Sequence, residues 1–233
     1  MKIIYEDNHI IVVEKPVNIP SQSDKTGDMD CLNLIKQYLK EKYNKPGNVY
    51  VGLVHRLDRP VGGVMVFAKT SKAAARLSNQ VREKKFKKTY LVIVDEKMEH
   101  QKGILEDYLL KNERNNISKV VQENTKNSKF AKLDYEVLKY EEEINLSVLK
   151  INLHTGRHHQ IRVQLSSRNH SIYGDQKYGT RGRGKQIALW AYELQIYHPV
   201  TNEKLSFYSV PEKIGSWKIL EDIGGLKSLN SIN

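Results

Sequence analysis

The chain of 233 residues contains one cysteine, Cys31, which excludes an internal disulfide framework and any site built from several thiolates. No apolar run approaches the roughly 18 residues of a membrane-spanning helix. The N-terminus lacks a signal-peptide pattern, since its apolar run, Ile10–Val13, has charged residues on both sides. A P-loop and a dinucleotide-binding fingerprint are also absent. These absences predict a cytoplasmic protein that does not enter a membrane, and they remove the commonest signals for nucleotide cofactors and thiolate-bound metals.

The balance of charge is strongly basic. Lysine and arginine number 38 against 27 acidic residues, which gives a net charge of +11 and an isoelectric point near 9.5. The hydrophobic content of 39% and the charged content of 28% are those of a soluble globular protein. The composition therefore predicts one substantial core and a polyanionic partner, with nucleic acid favoured over a membrane surface.

One long segment carries almost no negative charge. Between Ile144 and Tyr192 the only acidic residue is Asp175. The same segment contains eight basic residues, Lys150, Arg157, Arg162, Arg168, Lys177, Arg181, Arg183 and Lys185, and four histidines, His154, His158, His159 and His170. A one-signed segment inside a folded domain is a better indicator of phosphate binding than net charge.

Periodicity predicts several elements. Residues 1–14 form two short strands around a turn, and alternation predicts further strands from Ala131 and over 144–153. A helix capped by Asp30 runs to about Tyr43, and Thr70 or Ser71 caps a second helix, with Leu77 and Val81 four residues apart on one face. Residues 111–129 are polar and are predicted to form a long loop or a weak hairpin.

The most informative stretch lies between two apolar runs, Val49–Val54 and Val64–Ala68, which are predicted to be buried strands. Their connection carries ionisable residues just before Pro60, namely His55, Arg56 and Asp58. A connection that only turns the chain would not need them, so the pattern is typical of a site on a rigid scaffold. The alternative is that Asp58 merely caps the turn, with Arg56 or Arg59 as a surface partner.

This stretch resembles the central motif of the RluA-type family of RNA pseudouridine synthases. It shares His-Arg-Leu-Asp, a following arginine, a glycine five residues after Asp58, an apolar run and Ala-Lys. The family usually has Thr-Ser where this chain has Val61 and Gly62. The resemblance makes Asp58 the expected catalytic carboxylate, and it implies that Arg56 fills the space left by the flipped base.

A basic run at residues 81–90 ends in Lys88-Thr-Tyr90 and then enters an apolar strand. A tyrosine beside lysines suits stacking on a nucleobase next to phosphates, although such runs are as often solvated surfaces. The sequence resembles the family's second motif, Lys-x-Tyr, whose tyrosine lies in the active site. The resemblance carries this role to Tyr90.

Residues 154–165 contain Thr-Gly-Arg-His-His-Gln-Ile-Arg. His154 and His158 invite a metal-site interpretation, but Thr155-Gly156 interrupts the helical spacing, and further ligands would be needed. The segment resembles the family's third motif in all seven fixed positions, and Gln164 replaces a usual histidine. In the family the final arginine, here Arg162, pairs with the catalytic aspartate; a surface phosphate contact is the alternative.

The resemblance extends over roughly residues 3–211, including segments 173–179 and 189–199. It implies the pseudouridine synthase catalytic fold, an α+β class with a mixed, mostly antiparallel bent sheet and flanking helices. Residues 1–221 are predicted to form the catalytic domain, without a preceding S4-type RNA-binding domain, and 222–233 a loose tail. A monomer without an obligate protein partner is expected.

The function implied is isomerisation of specific uridines in ribosomal or transfer RNA to pseudouridine. Breaking N1–C1′ and forming C5–C1′ is redox-neutral and adds no atoms, so no cofactor or metal is expected. The predicted catalytic residues are Asp58, Tyr90 and Arg162, and the predicted substrate-binding residues are His55, Arg56, Arg157, His159 and Gln160. A non-catalytic RNA-binding protein on the same fold is the second hypothesis, and a metal-dependent ribonuclease is the third.

Overall fold

The computed structural model describes residues 1–179 and 184–227. In this part of the chain it contains eleven strands and three α-helices, which confirms the α+β class. The strands are β1 (Lys2–Glu6), β2 (Ile10–Lys15), β3 (Gly52–Leu53), β4 (Gly62–Ala68), β5 (Lys87–Asp95), β6 (Lys102–Asn112), β7 (Ile117–Val121), β8 (Lys129–Glu141), β9 (Leu146–Leu153), β10 (Leu189–Tyr197) and β11 (Lys204–Tyr208). The helices are α1 (Cys31–Lys42), α2 (Ser71–Arg82) and α3 (Gln160–Ser166), with a 3-10 helix at Gly215–Leu220.

The chain divides into two compact units. The first comprises Met1–Lys87, Ala191–Val210 and the end of the chain from Lys227. The second comprises Lys88–Trp190 and Pro211–Leu226. Of the predicted tail, residues 228–233 lie outside the described residues, while Asp222 accepts a hydrogen bond from Lys139. The single catalytic domain over 1–221 stays a prediction.

The sheet of the first unit has the order β1-β2-β4-β10, with β3 added to β4 and β11 added to β10. The pairs β1-β2, β2-β4, β3-β4 and β10-β11 are antiparallel. Ile10–Val13 and the whole of β4 are buried, as their continuous apolar runs predict. The prediction of a buried strand over residues 49–54 is wrong in its bounds. Only Gly52–Leu53 form a strand, and the side chain of Tyr50 is exposed.

Gly63 occupies a position that only glycine tolerates. Its φ is +120°, and a Cβ atom at this residue would overlap the backbone oxygen of Ala191. Strands β4 and β10 therefore approach closely where β4 leaves the motif loop. This close approach gives a physical reason for the glycine five residues after Asp58.

The two long helices begin as predicted. Asp30 caps α1 by accepting a hydrogen bond from Asn33 N–H, and Thr70 caps α2 by accepting one from Ala73 N–H. Of the two residues predicted to lie four apart on one face of α2, Leu77 is buried and Val81, one residue before the end of the helix at Arg82, is exposed.

None of the helices in the described residues combines the length and the apolar character needed to cross a membrane.

The sheet of the second unit has the order β5-β9-β8-β6-β7, and its paired strands are all antiparallel. Residues 111–129 include the turn and second strand of the β6-β7 hairpin, so the hairpin alternative is confirmed. Its core contains Leu91–Val94 of β5, Val148 and Leu149 of β9, and the apolar face of α3. The sheet thus supports both β5, which carries Tyr90, and α3, which carries Arg162.

Candidate active site

The loop that carries Asp58 connects β3 to β4 in the first unit, and its backbone is held on both sides of the aspartate. Ser21 Oγ donates to Leu57 O at 2.8 Å and accepts from Leu57 N–H at 3.1 Å. Val61 N–H closes a turn by donating to Asp58 O at 2.9 Å. The Val61 side chain is buried, so this position contributes its backbone and apolar packing.

Lys15 reaches the same loop from the end of β2. Its ammonium donates to Arg59 O at 3.1 Å and to Ile19 O and Pro16 O at 2.6 and 2.9 Å. The side chain is fully buried, and this burial lowers the pKa of the ammonium to about 8. Ser21 thus fixes the backbone immediately before Asp58, and Lys15 fixes it immediately after.

His55 anchors the beginning of the loop. Val66 N–H in β4 donates to His55 Nε2 at 3.1 Å, and the imidazole packs edge-on against Phe86 with the ring centroids 5.0 Å apart. The next residue, Arg56, is exposed and has no ion pair or side-chain hydrogen bond in the described part of the chain. These surroundings favour a positioning role for His55 and leave the Arg56 guanidinium available to a ligand.

Arg59 turns away from the aspartate that precedes it. Its guanidinium forms ion pairs with Asp28 and, at 3.6 Å, with Asp24, and it donates to Asn18 O at 3.2 Å. In the described part of the chain, the side-chain partners of Arg59 all lie in the segment 18–28. The alternative in which Arg59 serves as the surface partner of a turn-capping Asp58 therefore loses its support.

Tyr90 lies on β5 in the second unit, where it pairs with Ile151 of β9 and is buried. In the basic run before it, Lys84, Lys85 and Lys87 are exposed, while Phe86 is buried against His55. The basic run is thus mainly exposed, and Phe86 anchors it by packing against His55. Whether it contacts phosphates stays a prediction.

Gln160, the first residue of α3, organises the loop of the third motif. Its Oε1 accepts from Thr155 Oγ1 at 2.7 Å and from Arg157 N–H at 3.0 Å. Its Nε2 donates to Lys132 O and to Gln164 Oε1 at 3.1 and 3.0 Å. All four hydrogen-bonding positions of this amide are used inside the protein, so the geometry gives Gln160 a positioning role.

Arg157 lies on the surface of this loop, and its Nε donates to Phe130 O at 2.7 Å. The contact fixes one edge of an exposed guanidinium. Substrate binding by Arg157 stays a prediction.

Arg162 forms a buried bidentate ion pair with Asp175. Its Nε donates to Asp175 Oδ2 at 2.7 Å, its Nη2 donates to Oδ1 at 2.6 Å, and both residues are at most 4% exposed. Asp175 Oδ1 also accepts from the backbone N–H groups of Lys177 and Tyr178. Asp175 thus occupies the Nε–Nη2 edge of the guanidinium. The pairing of Arg162 with Asp58, which belongs to the other unit, stays a prediction.

His159 lies beside this ion pair with an unusual backbone conformation, φ +53°, just before α3. Its Nδ1 lies 2.8 Å from Tyr178 Oη, and the Arg162 guanidinium lies over the Tyr178 ring at 5.1 Å. Burial, followed by the nearby charges of Arg162 and other basic groups, lowers the pKa of His159 from 6.5 to about 2. The imidazole is therefore neutral at physiological pH.

We expect His159 to make the folded state sensitive to acid. Unfolded histidine takes up a proton as the pH falls through about 6.5, whereas folded His159 does not until about pH 2. In that window the unfolded state binds more protons, so the free energy of unfolding falls with falling pH, by at most about 1.4 kcal/mol per pH unit. His159→Asn, which tolerates the positive φ, should show a shallower decline in denaturant titrations. Equal declines in both proteins would contradict this explanation.

The two histidines considered as metal ligands have different partners. His154 Nε2 lies 2.6 Å from Asp134 Oδ2, and His158 Nδ1 lies 2.8 Å from Ser118 Oγ. Among residues 1–179 and 184–227 there is no group of three or more histidine, cysteine, aspartate or glutamate side chains placed to hold a metal ion. The structure thus gives the metal interpretation of this pair no support.

Sequence analysis missed three residues that shape the site, Lys15, Ser21 and Asp175. Lys15 had no signal, since its contact with Arg59 spans 44 residues. Asp175 had a signal, because it is the only acid between 144 and 192 and a buried arginine in that segment needs a partner. Ser21 had none, since its contact with Leu57 spans 36 residues and no local pattern identifies it.

The family of the chain is shown by sequence comparison. The family model for RNA pseudouridylate synthase matches residues 9–167. The chain is 34% identical over 220 residues to an uncharacterised RNA pseudouridine synthase of Aquifex aeolicus, a match that covers 89% of this chain and 68% of that protein. It is 31% identical over 222 residues to the ribosomal large subunit pseudouridine synthase D of Nitrosomonas europaea, covering 90% of this chain and 61% of that protein. The chain belongs to the RNA pseudouridine synthase family, a class of isomerases.

A solved structure gives the same fold. Human RNA pseudouridylate synthase domain containing 4 superposes with a TM-score of 0.75 at 21% identity, covering 91% of this chain and 89% of that one. The predicted pseudouridine synthase fold is therefore confirmed. The chain spans about two thirds of the length of the curated relatives that it matches.

Proposed function

We propose that this chain isomerises particular uridines of structured RNA to pseudouridine, with Asp58 as the catalytic carboxylate. The observation that carries the proposal is the fixation of the Asp58 loop by hydrogen bonds to its backbone. These bonds come from the side chains of Ser21 and Lys15 and from the backbone N–H of Val61. A carboxylate that attacks or stabilises C1′ must keep its position while the base leaves and turns, and a fixed backbone provides this. Ribosomal large subunit RNA is the first substrate to test, because several relatives are named for it.

In the proposed mechanism Asp58 acts at the sugar as the N1–C1′ bond breaks. Tyr90 stacks on the uracil, and Arg162, held in place by Asp175, serves Asp58 as a charge partner. The uracil then turns so that C5 bonds to C1′, and C5 loses its hydrogen. Arg56 fills the space left by the flipped nucleotide, and basic surface holds the flanking phosphates.

The loss of the C5 hydrogen gives a direct assay. RNA transcribed with uridine tritiated at C5 should release tritium to water only as pseudouridine forms. Ribosomal and transfer RNA lacking modification are the two substrates to compare. Absence of tritium release from both, with a folded protein that still binds them, would favour a non-catalytic RNA-binding protein.

We also propose that the chain acts as a monomer in the cytoplasm, without an obligate protein partner. The basic composition suits direct binding of RNA by this chain and so supports the absence of an obligate partner. Light scattering of the purified protein, with and without RNA, measures the number of copies in the complex.

Ser21→Ala is expected to lower the turnover number more than the affinity for RNA. The substitution removes both hydrogen bonds to Leu57, next to Asp58, and each such bond contributes about 1 kcal/mol. We expect kcat to fall roughly tenfold, with KM nearly unchanged and partial recovery in Ser21→Thr, whose hydroxyl is retained. Ser23→Ala, at an exposed serine of the same loop, is the control. A fall in affinity without a fall in kcat would contradict the positioning role.

A further inference from the structure

Lys88 occupies a distinctive position on β5 in the second unit. On one face of this strand Thr89 Oγ1 donates to Asn152 Oδ1 at 3.2 Å. Successive side chains of a strand alternate between its faces, so Lys88 and Tyr90 share the other face. Their Cα atoms are about 6.6 Å apart along the strand.

The side chain of Lys88 reaches the third-motif loop at its glycine. A Cβ atom placed on Gly156 would lie 3.2 Å from Lys88 Nζ. The missing side chain at this position therefore leaves room for the ammonium. A lysine of the second motif and a glycine of the third motif thus lie against each other.

The ammonium of Lys88 has no ion pair and no hydrogen bond in the part of the chain that the structure describes. The residue is only partly exposed, and burial lowers the pKa of its ammonium. A buried lysine usually has a carboxylate partner, as Lys69 does, whose buried ammonium pairs with Glu6 at 2.7 Å. A partly desolvated charge without a partner destabilises the free protein, and an anion that binds there removes that cost.

We propose that Lys88 binds a phosphate of the RNA strand next to the uridine that contacts Tyr90. This inference rests on the proposed function, since it takes RNA as the source of the anion. An RNA strand brings a phosphate next to every base, and a phosphate near Tyr90 would supply the charge that Lys88 lacks. The lysine is thus a substrate-binding residue, and its position favours one placement of the backbone over others.

The test is Lys88→Met, compared with Lys87→Met at the exposed neighbouring lysine. Both variants lose one charge, but only the first removes an unpaired charge from a partly buried position. We expect Lys88→Met to raise the melting temperature, by about 2–4 °C for each 1 kcal/mol of relieved desolvation. Binding of a fluorescein-labelled single-stranded oligoribonucleotide should weaken about tenfold, and the dependence of log K on log salt should lose about 0.7 of its slope. Lys87→Met should leave the melting temperature unchanged.

Two results would overturn the proposal. A lower melting temperature in Lys88→Met would show that the ammonium supports the fold, and unchanged RNA affinity with a higher melting temperature would show that no phosphate binds there. Carrying out the binding in the Asp58→Asn protein makes these readouts independent of turnover. Failure of the wild-type chain to release tritium would therefore reject the proposed function without deciding the role of Lys88.

Discussion

Asp58→Asn is expected to abolish pseudouridine formation and to leave the fold and the affinity for RNA unchanged. Asparagine has nearly the same shape as aspartate, but its amide carries no charge and cannot replace a carboxylate at C1′. We expect the rate of tritium release to fall at least about 10³-fold, which corresponds to a loss of roughly 4 kcal/mol of transition-state stabilisation. Single-turnover assays at saturating RNA measure this loss directly.

The matched control is Asp24→Asn. It makes the same change of charge in the same unit, at an exposed carboxylate near Arg59. This variant should retain the activity of the wild-type chain. If Asp58→Asn kept substantial activity, or if it lost activity only because its melting temperature fell, Asp58 would not be the catalytic carboxylate.

Asp175→Asn is expected to lower the free energy of unfolding strongly. The variant leaves the Arg162 guanidinium, 4% exposed, without the carboxylate that binds its Nε and Nη2. Removing one partner of a buried ion pair costs about 3–5 kcal/mol. The melting temperature should fall by about 10 °C. Denaturant titration at neutral pH measures the corresponding free energy of unfolding.

A second bidentate pair of the same unit serves as the control. Asp107 accepts from Arg168 Nη1 and Nη2 at 2.9 and 3.1 Å, but the Arg168 side chain is 36% exposed. Water can replace the lost carboxylate there, so Asp107→Asn should cost about 1 kcal/mol or less. Equal losses for the two variants would contradict the role assigned to burial.

Local sequence signals predicted the elements whose stability is decided locally. The Asp30 and Thr70 caps place the beginnings of α1 and α2, and uninterrupted apolar runs place β2 and β4. Each of these signals depends on residues within a few positions of one another. Helical spacing alone does not show where the neighbouring core ends, and Val81, on the predicted face with Leu77, is exposed.

The contacts that complete the candidate site are between residues distant in sequence. Ser21 reaches Leu57, and Lys15 reaches Arg59 across 44 residues. Periodicity carries no information about such pairs, and the resemblance to a family identifies a residue by its motif without giving its partners. The motifs thus identified Asp58, Tyr90 and Arg162 as candidate catalytic residues. The structure was needed to find Asp175 and Ser21.

The same limit explains the third motif. The resemblance predicted that Arg162 pairs with the catalytic aspartate, which stays a prediction, and the structure adds that Asp175 binds one edge of that arginine. The side-chain amide of Gln160, which is predicted to bind substrate, makes four hydrogen bonds within the protein, and substrate binding by this residue stays a prediction. A motif marks positions that are constrained either by the fold or by the chemistry. Only the contacts of a residue in the structure show which of these constraints applies to it.

The most direct test of the account is a pseudouridine map of cellular RNA from a strain that lacks this protein, complemented with the wild-type chain or with Asp58→Asn. The account predicts that one or a few sites lose pseudouridine in the deletion strain and regain it with the wild-type chain alone. Such a result would identify the substrate and the catalytic carboxylate together. Recovery of those sites with Asp58→Asn, or a map that does not change in the deletion strain, would contradict it.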